Sequence, residues 1–142
     1  MKADLLAPAV VLVLWTIVML IWTAGTRLPA LKAAGIDMSK AIGGRGQDLE
    51  GVLPASVNWK SHNYAHLVEQ PTLFYAIVGI LAILGSISPF AVVLAWVYVA
   101  LRIAHSLVQA TTNRIALRFP LFLAATIALL GLTILALMRT FG

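Results

Sequence analysis

Four apolar runs, each long enough to cross a bilayer, constrain this chain more than any other feature. They fall at about 5–26, 62–85, 89–110 and 119–139. A spanning helix needs about 20 mostly apolar residues, and in lipid only helices or closed barrels satisfy their own backbone hydrogen bonds. Runs of this length predict helices. The expected fold class is therefore all-α, an integral membrane four-helix bundle, with the 142 residues forming one domain. Composition agrees: the chain is 61% hydrophobic and only 11% charged, where a soluble domain has roughly 45–50% and about 25%. The first run is longer than the ~7–15-residue core of a secretory signal, and no clear small-x-small cleavage site follows it, so it reads as a retained helix. There is no cysteine, which excludes disulfides, thiolate metal sites and a cysteine nucleophile.

The connections are unequal. Residues 27–61 form the one long polar link, with Arg27, Lys32, Lys40, Arg45 and Lys60. It also holds Gly43, Gly44, Arg45 and Gly46 in succession. A glycine-rich loop cradles phosphate only between a strand and a helix, a context missing here, so the link reads as a flexible loop at the membrane surface. A tight turn is expected at 86–88, with Ser88 as N-cap and Pro89 as first helical residue of the third segment. A polar break at 111–119 carries Arg114 and Arg118, and Pro120 can open the fourth helix. Pro71 should bend the second helix or mark the start of its regular part. Small residues at Ala76, Gly79 and Ala82, and at Ala124, Ala128 and Gly131, favour close helix approach in lipid.

Orientation follows from lysine and arginine. The long loop holds five and the 111–119 break holds two, while the N-terminus, the middle turn and the C-terminus hold one, none and one. Loop and break therefore belong on the cytoplasmic side, with both termini opposite. The net charge of +5 reports those loops, and nucleic acid is not an expected partner.

Arg102 lies too deep in the third run to be a flanking anchor. A charge at such depth costs at least ~2.5 kcal/mol and usually faces protein or a water-filled cavity. Glu69 lies about 17 residues before the 86–88 turn and Arg102 about 15 after it, so their depths differ by only about 3 Å. At one depth a carboxylate and a guanidinium should pair, because either alone costs several kcal/mol. His62, His66 and Glu69 share one face of the second helix at i, i+4 and i+7, and Arg102, His105 and Gln109 recur at i, i+3 and i+7 on the third. Two polar stripes are thus expected to face each other. Four uses fit them: a structural ion pair with hydrogen-bonded histidines, a metal site from His62, His66, Glu69 and His105, a proton path, or an anion site in which Arg102, Arg114 and Arg118 gather carboxylates.

With these residues in place, the chain resembles the MAPEG family, the membrane-associated proteins in eicosanoid and glutathione metabolism, in a bacterial-type form. The resemblance spans the whole length and rests on two motifs. One is the second-helix glutamate before a proline and an aromatic, here Glu69, Pro71 and Phe74. The other is the third-helix arginine with further arginines at the mouth of the fourth, here Arg102, His105, Arg114 and Arg118. The resemblance implies a homotrimer with glutathione held between the second helix of one subunit and the third and fourth of its neighbour. It implies that Glu69 holds the ligand's amino group, that Arg102 anchors a carboxylate or the buried pair, and that Arg114 reaches a carboxylate near the surface. Arg118 is the implied catalytic group, stabilising the thiolate. His62, His66, His105 and Gln109 complete the implied contacts. The chain departs from the family pattern at His62 and His66, where an arginine and an asparagine are common, and at Gln109, where a tyrosine is common. The Glu69–Pro71 spacing is also shorter than usual.

The implied function is that of a glutathione-dependent transferase or peroxidase acting on small lipophilic electrophiles that arrive through the membrane lipid. The alternative is a non-catalytic scaffold or accessory subunit of the same fold. The expected location is a bacterial inner membrane, with both termini periplasmic.

Overall fold

The computed structural model describes residues 2–85 and 87–142. Four helices account for most of them: α1 (Lys2–Ala33), α2 (Ala55–Ile83), α3 (Pro89–Thr111) and α4 (Ile115–Phe141). All four are long and apolar enough to span a membrane. The protein is an all-α, four-helix membrane bundle. Helices α2 and α3 pack together at its centre, and α1 and α4 each lie against both. Leu5, Leu12 and Met19 of α1 and Leu132 of α4 are buried in the core, whereas Val10, Ile21, Phe90 and Ile127 are among many large apolar side chains left on the outside. That outward apolar surface suits lipid.

Three helices are longer than hydropathy predicts. The first continues from the expected end at 26 through Pro29 to Ala33. An interior proline costs about 3 kcal/mol; here the extra turns bring Leu31 into a buried position. The second begins at Ala55, seven residues before the expected start, with Pro54 in the N-cap position. Its first turns are polar yet helical because Asn58 and Asn63 are buried, and the Asn58 amide donates to the carbonyls of Leu49 at 3.3 Å and Leu53 at 3.5 Å. The fourth starts at Ile115, so Pro120 lies within it rather than opening it. Likewise α2 runs unbroken past Pro71.

The third helix begins as expected. Ser88 is its N-cap, Pro89 its first residue, and the Ser88 hydroxyl accepts from the Ala91 N–H at 3.1 Å. Of the 86–88 turn, Ser86 lies outside the described residues.

The long link bonds locally to itself and also contacts the helices it joins. A single 3-10 turn forms at Gly46–Leu49. The Asp48 carboxylate accepts from the Arg45 backbone N–H at 2.7 Å, and Glu50 contacts the His62 ring. The Arg27 guanidinium lies against Gly46, where a Cβ would come within 3.2 Å of Nη1; a side chain there would displace it. Asp37 accepts from the Ser39 hydroxyl at 2.6 Å and its N–H at 3.0 Å. Those two bonds hold the Asp37 carboxyl below the ordinary carboxylate range.

The end of α1, the start of α2 and the end of α3 meet at one membrane face. Lys60 ties them together: its ammonium donates to the Ala110 carbonyl at 3.3 Å and stands 5.3 Å from the Trp22 ring centre. Its own carbonyl accepts from Thr23 at 3.1 Å.

Candidate functional site

The centre of the site is Arg102, the largest fully buried side chain in the molecule. Its Nη2 donates to the His66 carbonyl at 3.0 Å, across the α2–α3 interface. Its Nε and Nη1 have no partner among the described residues. The guanidinium carbon lies 5.8 Å from the Phe122 ring centre on α4, a cation–π distance. Depth alone therefore placed Arg102 correctly inside protein.

The expected Glu69–Arg102 pair does not form within the chain. Among the described residues no ion pair joins them; the Glu69 side chain is 67% exposed and its ion-pair contact is with the His66 ring, at 3.9 Å. The reason is azimuth. Helix α2 buries Asn63, Leu67, Pro71 and Phe74, and Glu69 lies two residues from both Leu67 and Pro71, about 200° around the helix. Equal depth put the two charges on one level; the helix turned one of them outward.

The two stripes consequently differ. The α3 stripe points inward, with Arg102, His105 and Gln109 all buried. The α2 stripe lies at the edge of the bundle. His62 is drawn to Glu50 and lines a separate cleft of about 260 Å³ with Arg45, Gly46 and Ser61. Only His66 reaches the α3 stripe, its ring centre 6.0 Å from that of His105. The four-residue metal set is thus not assembled, and among the described residues no group of three or more suitable side chains is placed to hold an ion.

A cavity of about 160 Å³ forms where α2, α3 and the start of α4 converge, lined by His66, His105, Ile115, Arg118, Phe119 and Phe122. Three of the sequence-predicted site residues, His66, His105 and Arg118, therefore share one space; Arg102 is not part of its lining, though its guanidinium carbon lies 5.8 Å from the ring centre of Phe122, which is. His105 rests 6.1 Å from Phe122, centre to centre, and its Nδ1 is buried without a partner. The Gln109 side chain is buried nearby along α3 with its Oε1 unpartnered. Arg114 stands exposed as the N-cap residue of α4, with no side-chain cap bond, away from the cavity lining. Aromatic walls and guanidinium donors suit an anionic ligand with an apolar portion.

Hydropathy reading missed two hydrogen-bonded nodes that fix this geometry. In one, the Ser106 hydroxyl accepts from the Trp15 indole at 2.9 Å and from the Asn63 amide at 2.7 Å, joining α1, α2 and α3. In the other, the Tyr98 hydroxyl donates to Gln70 Oε1 at 3.2 Å, and Gln70 Nε2 donates to Thr126 at 2.9 Å, joining α3, α2 and α4. Tyr98 also stacks on Phe74 at 4.3 Å. The available signal was spacing: Tyr98, Arg102, Ser106 and Gln109 recur at i, i+4, i+8 and i+11, one helix face.

Fold and site define an integral membrane protein whose helix bundle carries a half-open, basic and aromatic-walled cavity at its loop-bearing end. The chain belongs to the MAPEG family: the family model matches residues 5–138, nearly its whole length. Comparison with curated proteins and with solved structures gives no match.

Proposed function

We propose that the protein is a glutathione-dependent transferase or peroxidase for small lipophilic electrophiles. The observation that carries this reading is the convergence of Arg118, His66 and His105 on one cavity, with unpartnered donors of Arg102 buried beside it. Buried guanidinium groups without a counter-ion are costly, and an anionic ligand relieves that cost. Glutathione fits the residues present: it has two carboxylates for arginines, an amine for an exposed glutamate, and a thiol that supplies the nucleophile. Arg118 favours the ionised thiol by its charge. His66 and His105 orient the ligand from the cavity wall, and Arg102 and Gln109, buried outside that lining, support it through their charge and polarity. Phe119 and Phe122 exclude water and admit an apolar partner from the lipid.

Glu69 gains its role in a homotrimer. It faces outward from its own chain, where a neighbouring subunit's ligand would meet it, and Arg114 stands exposed at the same end. His62 joins the site if the 27–61 link is drawn toward the neighbour. The lysine and arginine distribution puts the loop-bearing end on the cytoplasmic side and both termini opposite, which in a bacterial inner membrane is the periplasm.

A scaffold reading has one observation in its favour: His62 and Gln109 are engaged or buried within the chain. Titration of the purified protein with glutathione decides between the two readings. Saturable binding, a thiolate absorbance and a raised unfolding temperature are expected. No binding at millimolar ligand removes the transferase reading and leaves the scaffold.

A further inference from the structure

The Arg118 guanidinium bonds a residue outside the predicted site. Asn113 lies in the short connection between α3 and α4. Its φ is +50°, the one left-handed conformation among the described non-glycine residues. Asparagine visits this region more readily than other residues bearing a Cβ. The Asn113 N–H donates to the Val108 carbonyl at 2.7 Å and closes the last turn of α3. With the backbone fixed in this way, Oδ1 accepts a hydrogen bond from Arg118 Nη1. Among the described residues no other side-chain hydrogen bond to Arg118 is present. One edge of the guanidinium is held, and its other N–H groups remain for the cavity that Arg118 lines with His66 and His105.

We propose that Asn113 is the positioning residue for Arg118: a neutral acceptor on a left-handed turn that aims the guanidinium into the cavity without neutralising it. Neutrality matters here. A carboxylate in the same place would hold the guanidinium at least as firmly, but it would cancel part of the field that Arg118 offers to an anion. An amide keeps the geometry and leaves the charge whole. The inference rests on the reading of Arg118 as the group that favours the ionised thiol, so its test needs one readout that does not involve glutathione.

Two variants separate the parts. Asn113→Gly keeps the left-handed turn, which glycine adopts freely, and removes the acceptor. Asn113→Asp keeps an acceptor and adds a charge. The first readout is the guanidinium ¹⁵N NMR signal of Arg118 in the full chain in micelles without ligand, assigned with Arg118→Lys. Slowed rotation of the guanidinium is expected in the parent and in Asn113→Asp, and averaged signals in Asn113→Gly. Identical signals in the parent and Asn113→Gly would overturn the proposal. The second readout is the pH midpoint of the thiolate absorbance with glutathione present. Asn113→Asp is expected to raise it by about one unit, or about tenfold less thiolate at a pH below both midpoints. A merely structural turn residue would leave that midpoint in place, and an unmoved midpoint overturns the proposal. A parent protein that shows no thiolate at all overturns the glutathione reading and this role with it. The NMR comparison then reports separately whether the tether exists.

Discussion

The two ends of the bundle are held by different forces. At the loop-bearing end, contact between helices runs through polar groups: Trp15, Asn63 and Ser106 in one node, Arg102 on the His66 carbonyl, Lys60 on the Ala110 carbonyl. At the opposite end the helices meet through small and aliphatic side chains, with Ala91, Ala95, Leu81, Leu132 and Ala136 buried. Lipid gives apolar side chains little reason to leave it, so the apolar end depends on close shape fit. The polar end depends on hydrogen bonds, and every partner removed leaves a buried orphan. That end also keeps orphans in the native chain, on Arg102, His105, Gln109 and Asn63. Groups left unpaired in one half of a bundle are where a ligand has something to gain.

This contrast can be broken or sharpened by substitution. The largest expected effect is on chemistry. Arg118→Ala should lower glutathione-dependent turnover by about 100-fold or more with thermal unfolding in micelles nearly unchanged, because the side chain is only partly buried; equal turnover would remove its assigned role. Next, Ser106→Ala should destabilise by about 1–2 kcal/mol, since it strands the Trp15 indole and the Asn63 amide together; a melting temperature equal to the parent's would show that this node contributes little. At the apolar end, Gly131→Ala places a Cβ 3.0 Å from a Leu94 methyl, the end of a flexible side chain. It should cost less than about 1 kcal/mol, because Leu94 can give way; a larger loss would show that the close fit of α3 on α4 leaves Leu94 no room to move. Glu69→Gln should change the stability of the monomeric chain by less than about 0.5 kcal/mol, as befits an exposed group; a large loss measured in monomer would restore an intrachain partner for Glu69. The smallest effect belongs to the surface. Ser39→Ala should let the Asp37 carboxyl rise toward its ordinary range, followed by NMR titration. Because Ser39 holds Asp37 low, its contribution is present at neutral pH and fades as acid protonates the carboxylate.

Much of this architecture is legible from residue order. The spans are visible because hydrocarbon thickness sets their length, and the α3 start is visible because Ser88 and Pro89 are local capping signals. The helix extensions were hidden for a related reason. Hydropathy marks where a helix enters lipid, whereas Leu31 and Asn58 hold helical turns beyond the apolar runs by burial, Asn58 also through its bonds to the Leu49 and Leu53 carbonyls. The small-residue stripes divide in the same way. Gly131 meets Leu94 on the neighbouring helix, whereas nothing lies within 4 Å of a Cβ built on Gly79. Spacing identified both stripes, but only the packed fold shows which of their residues a neighbour within the chain covers: Ala82 of the first is buried while Gly79 is open.

The candidate site repeats the lesson at the level of single side chains. By itself the sequence determined depth: a rise of about 1.5 Å per residue is a local property, and it put Arg102, His66 and His105 at one level inside protein. Tertiary structure alone decided azimuth. Which face of α2 turns inward depends on how α1, α3 and α4 crowd around it, and that rotation took Glu69 out of the bundle, brought His66 beside His105, and left Arg102 bonded to a carbonyl. The α3–α4 turn decided the rest. The left-handed backbone of Asn113 is a consequence of two helices meeting at short range, and it fixes where Arg118 points.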